Sequence, residues 1–211
     1  MKRIVFLRHT KTAFNAEPIR LRGCIDVPLS REGFSQIADV VEKFKAEYPD
    51  VRQIYSSSLT RAEILAAAVA HEYGLKVKSY EDLRSWDYGI LNGRYVSDVL
   101  DVLKTLSSGA GRELAPSNGE SMNDFLSRLT GSIKQITLDA PEEGVVVIVT
   151  HLQNIMMGLH WLALGMPEDV RVMPYQYKET NELDPGDWVE VRREWVRLQP
   201  IISADTKSKK E

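Results

Sequence analysis

Arg8, His9, Thr10, Lys11 and Thr12 gather two fixed cations, an imidazole and two hydroxyls into five consecutive positions. They follow directly on Ile4-Val5-Phe6-Leu7, an apolar run too short for a helix and rich in residues of a strand buried on both faces. Polar residues released at the end of such a strand stand where an open parallel α/β sheet forms its ligand crevice. The chemistry on offer is that of an anion site. An imidazole attacks phosphorus when neighbouring cations hold the phosphoryl oxygens and neutralise the charge that develops during transfer. A second exit of the same kind is Thr150-His151, at the end of Val145-Val146-Val147-Ile148-Val149. Two histidines at the ends of two central strands can reach one pocket, whereas His71 and His160 lie within helical patterns and read as core or surface residues. The competing reading of a basic strand end is a solvated surface, and position alone does not separate the two.

The elements that must position these groups alternate between strand and helix. An irregular stretch with Pro18, Gly23 and Pro28 lies over the first strand exit. Ser30 caps a helix reaching about Tyr48, with Phe34, Ile37, Ala38, Val41 and Phe44 at helical spacing. Gln53-Ile54-Tyr55 is the next strand, and Ser58 or Thr60 is expected to cap the helix that follows and ends near Gly74. Arg61 falls in its first turn, where backbone N–H groups and the positive helix end reinforce an anion site. Val77 to Tyr80 is a short strand, 96–106 and 122–138 are helices, and the 107–119 segment between them reads as a flexible connection. A helix over 152–164 closes at Gly165 and Pro167. Tyr175-Gln176-Tyr177 and Trp188 to Trp195 read as edge strands, and the tail from Ser203 has almost nothing to bury.

Arg8-His9-x-x-Thr12-x-x-Asn15 resembles the R-H-G-x-T-x-x-N signature of the histidine phosphatase superfamily, the phosphoglycerate mutase-like enzymes. Ser58-Leu59-Thr60-Arg61-Ala62, then Leu83 to Gly93, then Val145 to His151 after Gly119-Glu120-Ser121, follow in the family's order. The resemblance extends over about residues 2–165. It implies a three-layer α/β/α sandwich with a mostly parallel central sheet, and a phosphatase working in two steps. Neutral His9 would attack phosphorus while Arg8, Arg61 and His151 hold the non-bridging oxygens, and water would then hydrolyse the phosphohistidine. Thr12 and Asn15 match the motif and would bind phosphate or leaving-group oxygens, with Arg22 and Gly23 beside them. No metal or other cofactor is implied.

Three positions depart from the family pattern. Thr10 stands where a small residue usually follows the nucleophile, Leu152-Gln153-Asn154 stands where small glycines are common, and Ser85 occupies the place of the glutamate in L-R-E-x-x-x-G-x-x-x-G. A serine hydroxyl is far too weak an acid to protonate a leaving group at neutral pH. Asp87 is the nearest carboxyl, and the alternative for it is a plain turn residue; Glu120 and Asp82 are further candidates. Only 25 residues separate Gly93 from Gly119, with Arg94 and Arg112 as the only arginines, whereas cofactor-dependent mutases carry a longer and more basic insertion here. A phosphatase is therefore preferred to a mutase, with Arg20, Arg22 and the 94–118 segment choosing the substrate. A non-catalytic phospholigand-binding protein is the reading from another class.

The 211 residues suit one domain, expected over 1–202 with 203–211 as a disordered tail. With 43% hydrophobic and 27% charged residues the chain reads as globular, and Asp+Glu (30) outnumber Lys+Arg (27), so no nucleic-acid partner is expected. Cys24 is the only cysteine, which excludes an intrachain disulfide and paired metal-ligand motifs. No apolar run approaches a membrane span or a signal peptide, so the cytoplasm is the expected compartment and a phosphorylated small molecule the expected partner. Oligomeric state is left open, a homodimer included.

Overall fold

The computed structural model describes residues 2–173 and 183–191. The apolar runs become the strands of one five-stranded sheet, β1 (Lys2–Arg8), β2 (Val51–Ser57), β3 (Val77–Tyr80), β4 (Gly144–Thr150) and β5 (Trp188–Glu190), in the order β3-β2-β4-β1-β5. The first four run parallel, and β5 lies antiparallel on the outer edge of β1. Val145 to Val149 are fully buried, as a β-branched run between two parallel neighbours must be.

Strand alternation divides the core into two layers. Val5, Leu7, Ile54, Val147 and Val149 pack with Phe44 of α1 (Arg31–Glu47) and with Leu65 and Val69 of α2 (Thr60–Tyr73). Ile4, Phe6, Val146 and Ile148 pack on the other side with α3 (Val96–Leu106), α4 (Met122–Asp139) and α5 (Leu152–Ala163). The result is the expected three-layer α/β/α arrangement. In the β1–β4 register Arg8 stands beside Thr150, so both polar exits emerge at the same edge of the sheet.

Ser30 and Ser121 cap α1 and α4, accepting from the N–H groups of Gly33 and Asp124. The start of α2 differs from expectation. Leu59 is its N-cap residue and Thr60 is already helical, so neither Ser58 nor Thr60 caps it; Asp26 from the loop after β1 accepts the Thr60 N–H at 2.9 Å and the Thr60 hydroxyl at 2.5 Å instead. The 107–119 connection is also better anchored than its composition indicates. It forms a short 3-10 turn, Gly109–Glu113, from which Arg112 donates to the carbonyls of Met173 and Val170. The strand expected at Tyr175-Gln176-Tyr177, the outer part of 188–195 and the tail lie outside the described residues. Among the described residues no helix is long and apolar enough to cross a membrane.

Candidate active site

His9 leaves β1 with its backbone N–H on the Thr150 carbonyl (3.1 Å) and its Nδ1 on the Thr10 carbonyl (2.7 Å). A carbonyl only accepts, so Nδ1 carries the hydrogen and the lone pair of the neutral ring resides on Nε2. Burial, then the charges of Arg61 and Arg22, hold the His9 pKa well below its ordinary value. The ring is therefore neutral, with the Nε2 lone pair available.

The His151 ring lies 5.2 Å from it, centroid to centroid. Ser57 Oγ accepts the Leu59 N–H and sits 2.9 Å from His151 Nε2. His151 Nδ1 has no hydrogen-bond partner among the described residues. Its pKa is also pushed well down, by burial and then by Arg61. It is a second neutral ring beside His9.

Two arginines close the pocket. Arg8 and Arg61 are 0% and 1% exposed. Burial, followed by the charge of Arg22, lowers each to about 10. Arg8 reaches the Leu183 carbonyl through Nη1, and Arg61 donates to Ile25 O (2.7 Å) and Gly23 O (2.9 Å); among the described residues Arg8 Nε and Nη2 and Arg61 Nε have no partner. Buried cations with unspent donors are the electrostatic complement of an anion. Arg22 completes the group, since its charge acts on His9, His151, Arg8 and Arg61 alike.

The remaining residues singled out from the sequence divide. Thr12 donates through its N–H and hydroxyl to Asn15 Oδ1 at 2.9 and 3.0 Å, an internal brace of the loop after His9. Gly23 has φ +48°, and a Cβ there would stand 1.9 Å from Asn92 Oδ1. Asp87 is half-buried and turns its Oδ1 to Gly89 N–H (3.0 Å) and Asn92 Nδ2 (2.8 Å), the bonding of a turn residue. Glu120 takes Arg128 through both oxygens at 2.5 and 2.8 Å and accepts the Asp87 N–H at 2.8 Å.

Around Ser85 the backbone is gripped residue by residue. Arg128 donates to the carbonyls of Asp82, Arg84 and Ser85; Asn154 donates to Leu83 and Arg84; Thr150 donates to Leu83; the Cys24 thiol donates to Ser85. Thr150 and Asn154 flank His151, so Asn154, a departure from the family pattern, ties the 82–85 segment to the second histidine. Thr10, the other departure, is fully buried, and its methyl faces Gly186. That glycine belongs to the turn Leu183–Asp187, where Gly186 N–H bonds Arg8 O (3.2 Å) and Asp187 O accepts Arg8 N–H (2.9 Å). The charges of Asp184 and Asp187 partly offset the burial of Arg8. Sequence reasoning overlooked this turn, although Asp184-Pro185-Gly186-Asp187 announces one. Arg128 carried no signal, being one more polar residue on an amphipathic helix. Among the described residues no group of three or more His, Cys, Asp or Glu is placed to hold a metal ion.

The profile of the histidine phosphatase superfamily (branch 1) matches residues 4–196. A probable phosphoglycerate mutase GpmB of Enterobacter sp. (strain 638) is 30% identical over 172 residues, covering 79% of this chain and 77% of that one. A broad-specificity phosphatase of Saccharomyces cerevisiae is 26% identical over 165 residues, covering 76% and 70%. Among solved structures, a mycobacterial glucosyl-3-phosphoglycerate phosphatase in complex with VO3 shares the fold with a TM-score of 0.70 at 23% identity, over 90% of this chain and 92% of that one.

Proposed function

We propose that this chain, which belongs to the histidine phosphatase superfamily, hydrolyses a small-molecule phosphomonoester through a phosphohistidine on His9. The observation that carries the reading is a neutral, buried imidazole, its lone pair on Nε2, set among the charges of Arg61, Arg22 and Arg8 and beside the His151 ring. In the first step the Nε2 lone pair forms a bond to phosphorus as the ester P–O bond breaks, and the departing electron pair stays on the substrate oxygen. Arg8, Arg61, Arg22 and His151 bind the three non-bridging oxygens, most strongly in the transition state. Asp87 donates the leaving-group proton from Oδ2, because Oδ1 is committed to Gly89 and Asn92. Water then attacks phosphorus, the N–P electron pair returns to Nε2, and the proton released by water goes to Asp87. Thr12 and Asn15 brace the loop that carries His9, and the Gly23 carbonyl anchors Arg61. No metal has a part in this scheme.

Relatives named as phosphatases support hydrolysis, and relatives named as probable mutases favour transfer to a second hydroxyl. Steady release of inorganic phosphate from phenyl phosphate, abolished by His9→Ala, is expected on the first account. Phosphate release only as slow leakage, with fast exchange between phosphoglycerates, would establish the second.

A further inference from the structure

A short ribbon at the rim sets a second cation outside the phosphoryl pocket. Arg20 pairs with Tyr95 across an antiparallel bridge, closed by Leu21 N–H to Arg94 O (2.8 Å) and Val96 N–H to Ile19 O (3.0 Å). Gly93 N–H continues the ladder to Leu21 O at 2.7 Å. Residues opposed in such a pair present their side chains on the same face. The Arg20 guanidinium accordingly lies 4.3 Å above the Tyr95 ring centroid, with the Phe14 ring at 5.8 Å. Leu21, next along, turns the opposite way into the core. Alternation therefore returns Arg22 to the Arg20 face, about 7 Å along the ribbon.

The two arginines then divide the labour. Arg22 is the inner one, acting electrostatically on both histidines and both buried arginines. Arg20 is the outer one and is exposed. It donates through Nη2 to the Tyr95 hydroxyl (2.7 Å) and through Nη1 to Gly93 O (3.3 Å). A guanidinium has five N–H donors, so these bonds fix its plane and leave others to face an incoming group. A fork held flat on an aromatic ring is preorganised for an anion with two or three oxygens. The two arginines of the 94–118 segment do not compete: Arg112 is spent on the carbonyls of Met173 and Val170, and Arg94 stands opposite Leu21, on the other face of the ribbon.

We propose that Arg20, held in place by Tyr95, is a specificity-determining residue that receives a second anionic group of the substrate, a carboxylate or a phosphate. The substrate class is a compact phosphomonoester bearing another negative charge a few bonds from the ester oxygen. The proposal rests on the reading of the His9 pocket as the phosphoryl site.

The test compares phenyl phosphate with 3-carboxyphenyl phosphate and 1,3-phenylene bisphosphate. A charge-assisted hydrogen bond corresponds to a preference of about tenfold to a hundredfold in kcat/KM for the doubly anionic member. If the carboxylate arm alone shows it, the second group is a carboxylate; if only the bisphosphate arm does, it is a phosphate. Arg20→Gln should bring the ratio close to unity, mainly through KM, and Arg20→Lys should restore part of it. Equal kcat/KM for all three in the wild type, or a ratio unmoved by Arg20→Gln, would overturn the proposal. Calorimetric binding of phenylphosphonate and 3-carboxyphenylphosphonate, which are not hydrolysed, separates the two readings. A binding preference without turnover of any ester keeps the subsite and ends the phosphatase reading. Turnover without a binding preference does the reverse.

Discussion

Lowering the pH below about 6.5 should destabilise this protein, with a slope that approaches two protons as the unfolded histidines become protonated. His9 and His151 are 1% and 3% exposed and sit among cations, and both pKa values are held well below the 6.5 of an unfolded histidine. The sign follows directly. Below pH 6.5 the unfolded chain takes up a proton at each ring while the folded chain does not, so stability is fully present above 6.5 and falls as pH drops towards the folded values. Each histidine contributes at most about 1.4 kcal/mol per pH unit, so the slope of the pair rises towards about 2.8 kcal/mol per unit as the unfolded rings become fully protonated. Urea unfolding at pH 7, 6.5, 6 and 5.5 reads the slope, and His151→Gln should halve it. A flat stability profile over this range in the wild type would refute the claim that both rings are buried in the neutral form.

Asp26→Ala removes the acceptor of two Thr60 bonds and a charge that favours Arg61, and should cost about 0.5–2 kcal/mol in urea unfolding, with weaker binding of inorganic phosphate. Gly23→Ala introduces a Cβ into the space of Asn92 Oδ1 at a left-handed backbone position. A loss of about 1–3 kcal/mol, seen as a lower Tm, should accompany reduced turnover, because the Gly23 carbonyl anchors Arg61. Asp87→Asn retains an Oδ1 that can accept from Gly89 and Asn92, so the fold should survive; alkyl phosphate hydrolysis should fall by about 10²–10⁴-fold and aryl phosphate hydrolysis much less. Equal losses on both substrates would make Asp87 a turn residue alone.

The strands, their parallel order and the shared exit edge were legible because a run such as Val145 to Val149 permits little else, and two runs followed by His9 and His151 fix where the polar residues emerge. Arg61 was legible through its place in the first turn after a strand. What escaped was whatever depends on bonds between distant segments. Asp26 caps α2 from 34 positions away, a role no local pattern announces. Arg128 binds three consecutive-region carbonyls and Glu120 because α4 crosses the 82–85 segment, and an amphipathic pattern says only that such a residue is outward. Arg112 shows the same limit from the other side: in a Gly- and Ser-rich connection it looks solvated, yet two distant carbonyls hold it. The pairing of Arg20 with Tyr95 likewise needs the ribbon that joins residues 19–21 to 93–96.

The central claim is that phosphorus becomes bonded to His9 Nε2. Mixing the enzyme with 32P-labelled phenyl phosphate and quenching in base within the first turnover should trap label on the protein that is stable to alkali and released by acid, and peptide mapping should place it on His9. His9→Ala should take up none. Alkali-stable label absent from the wild type during rapid turnover, or label on another residue, would contradict the account.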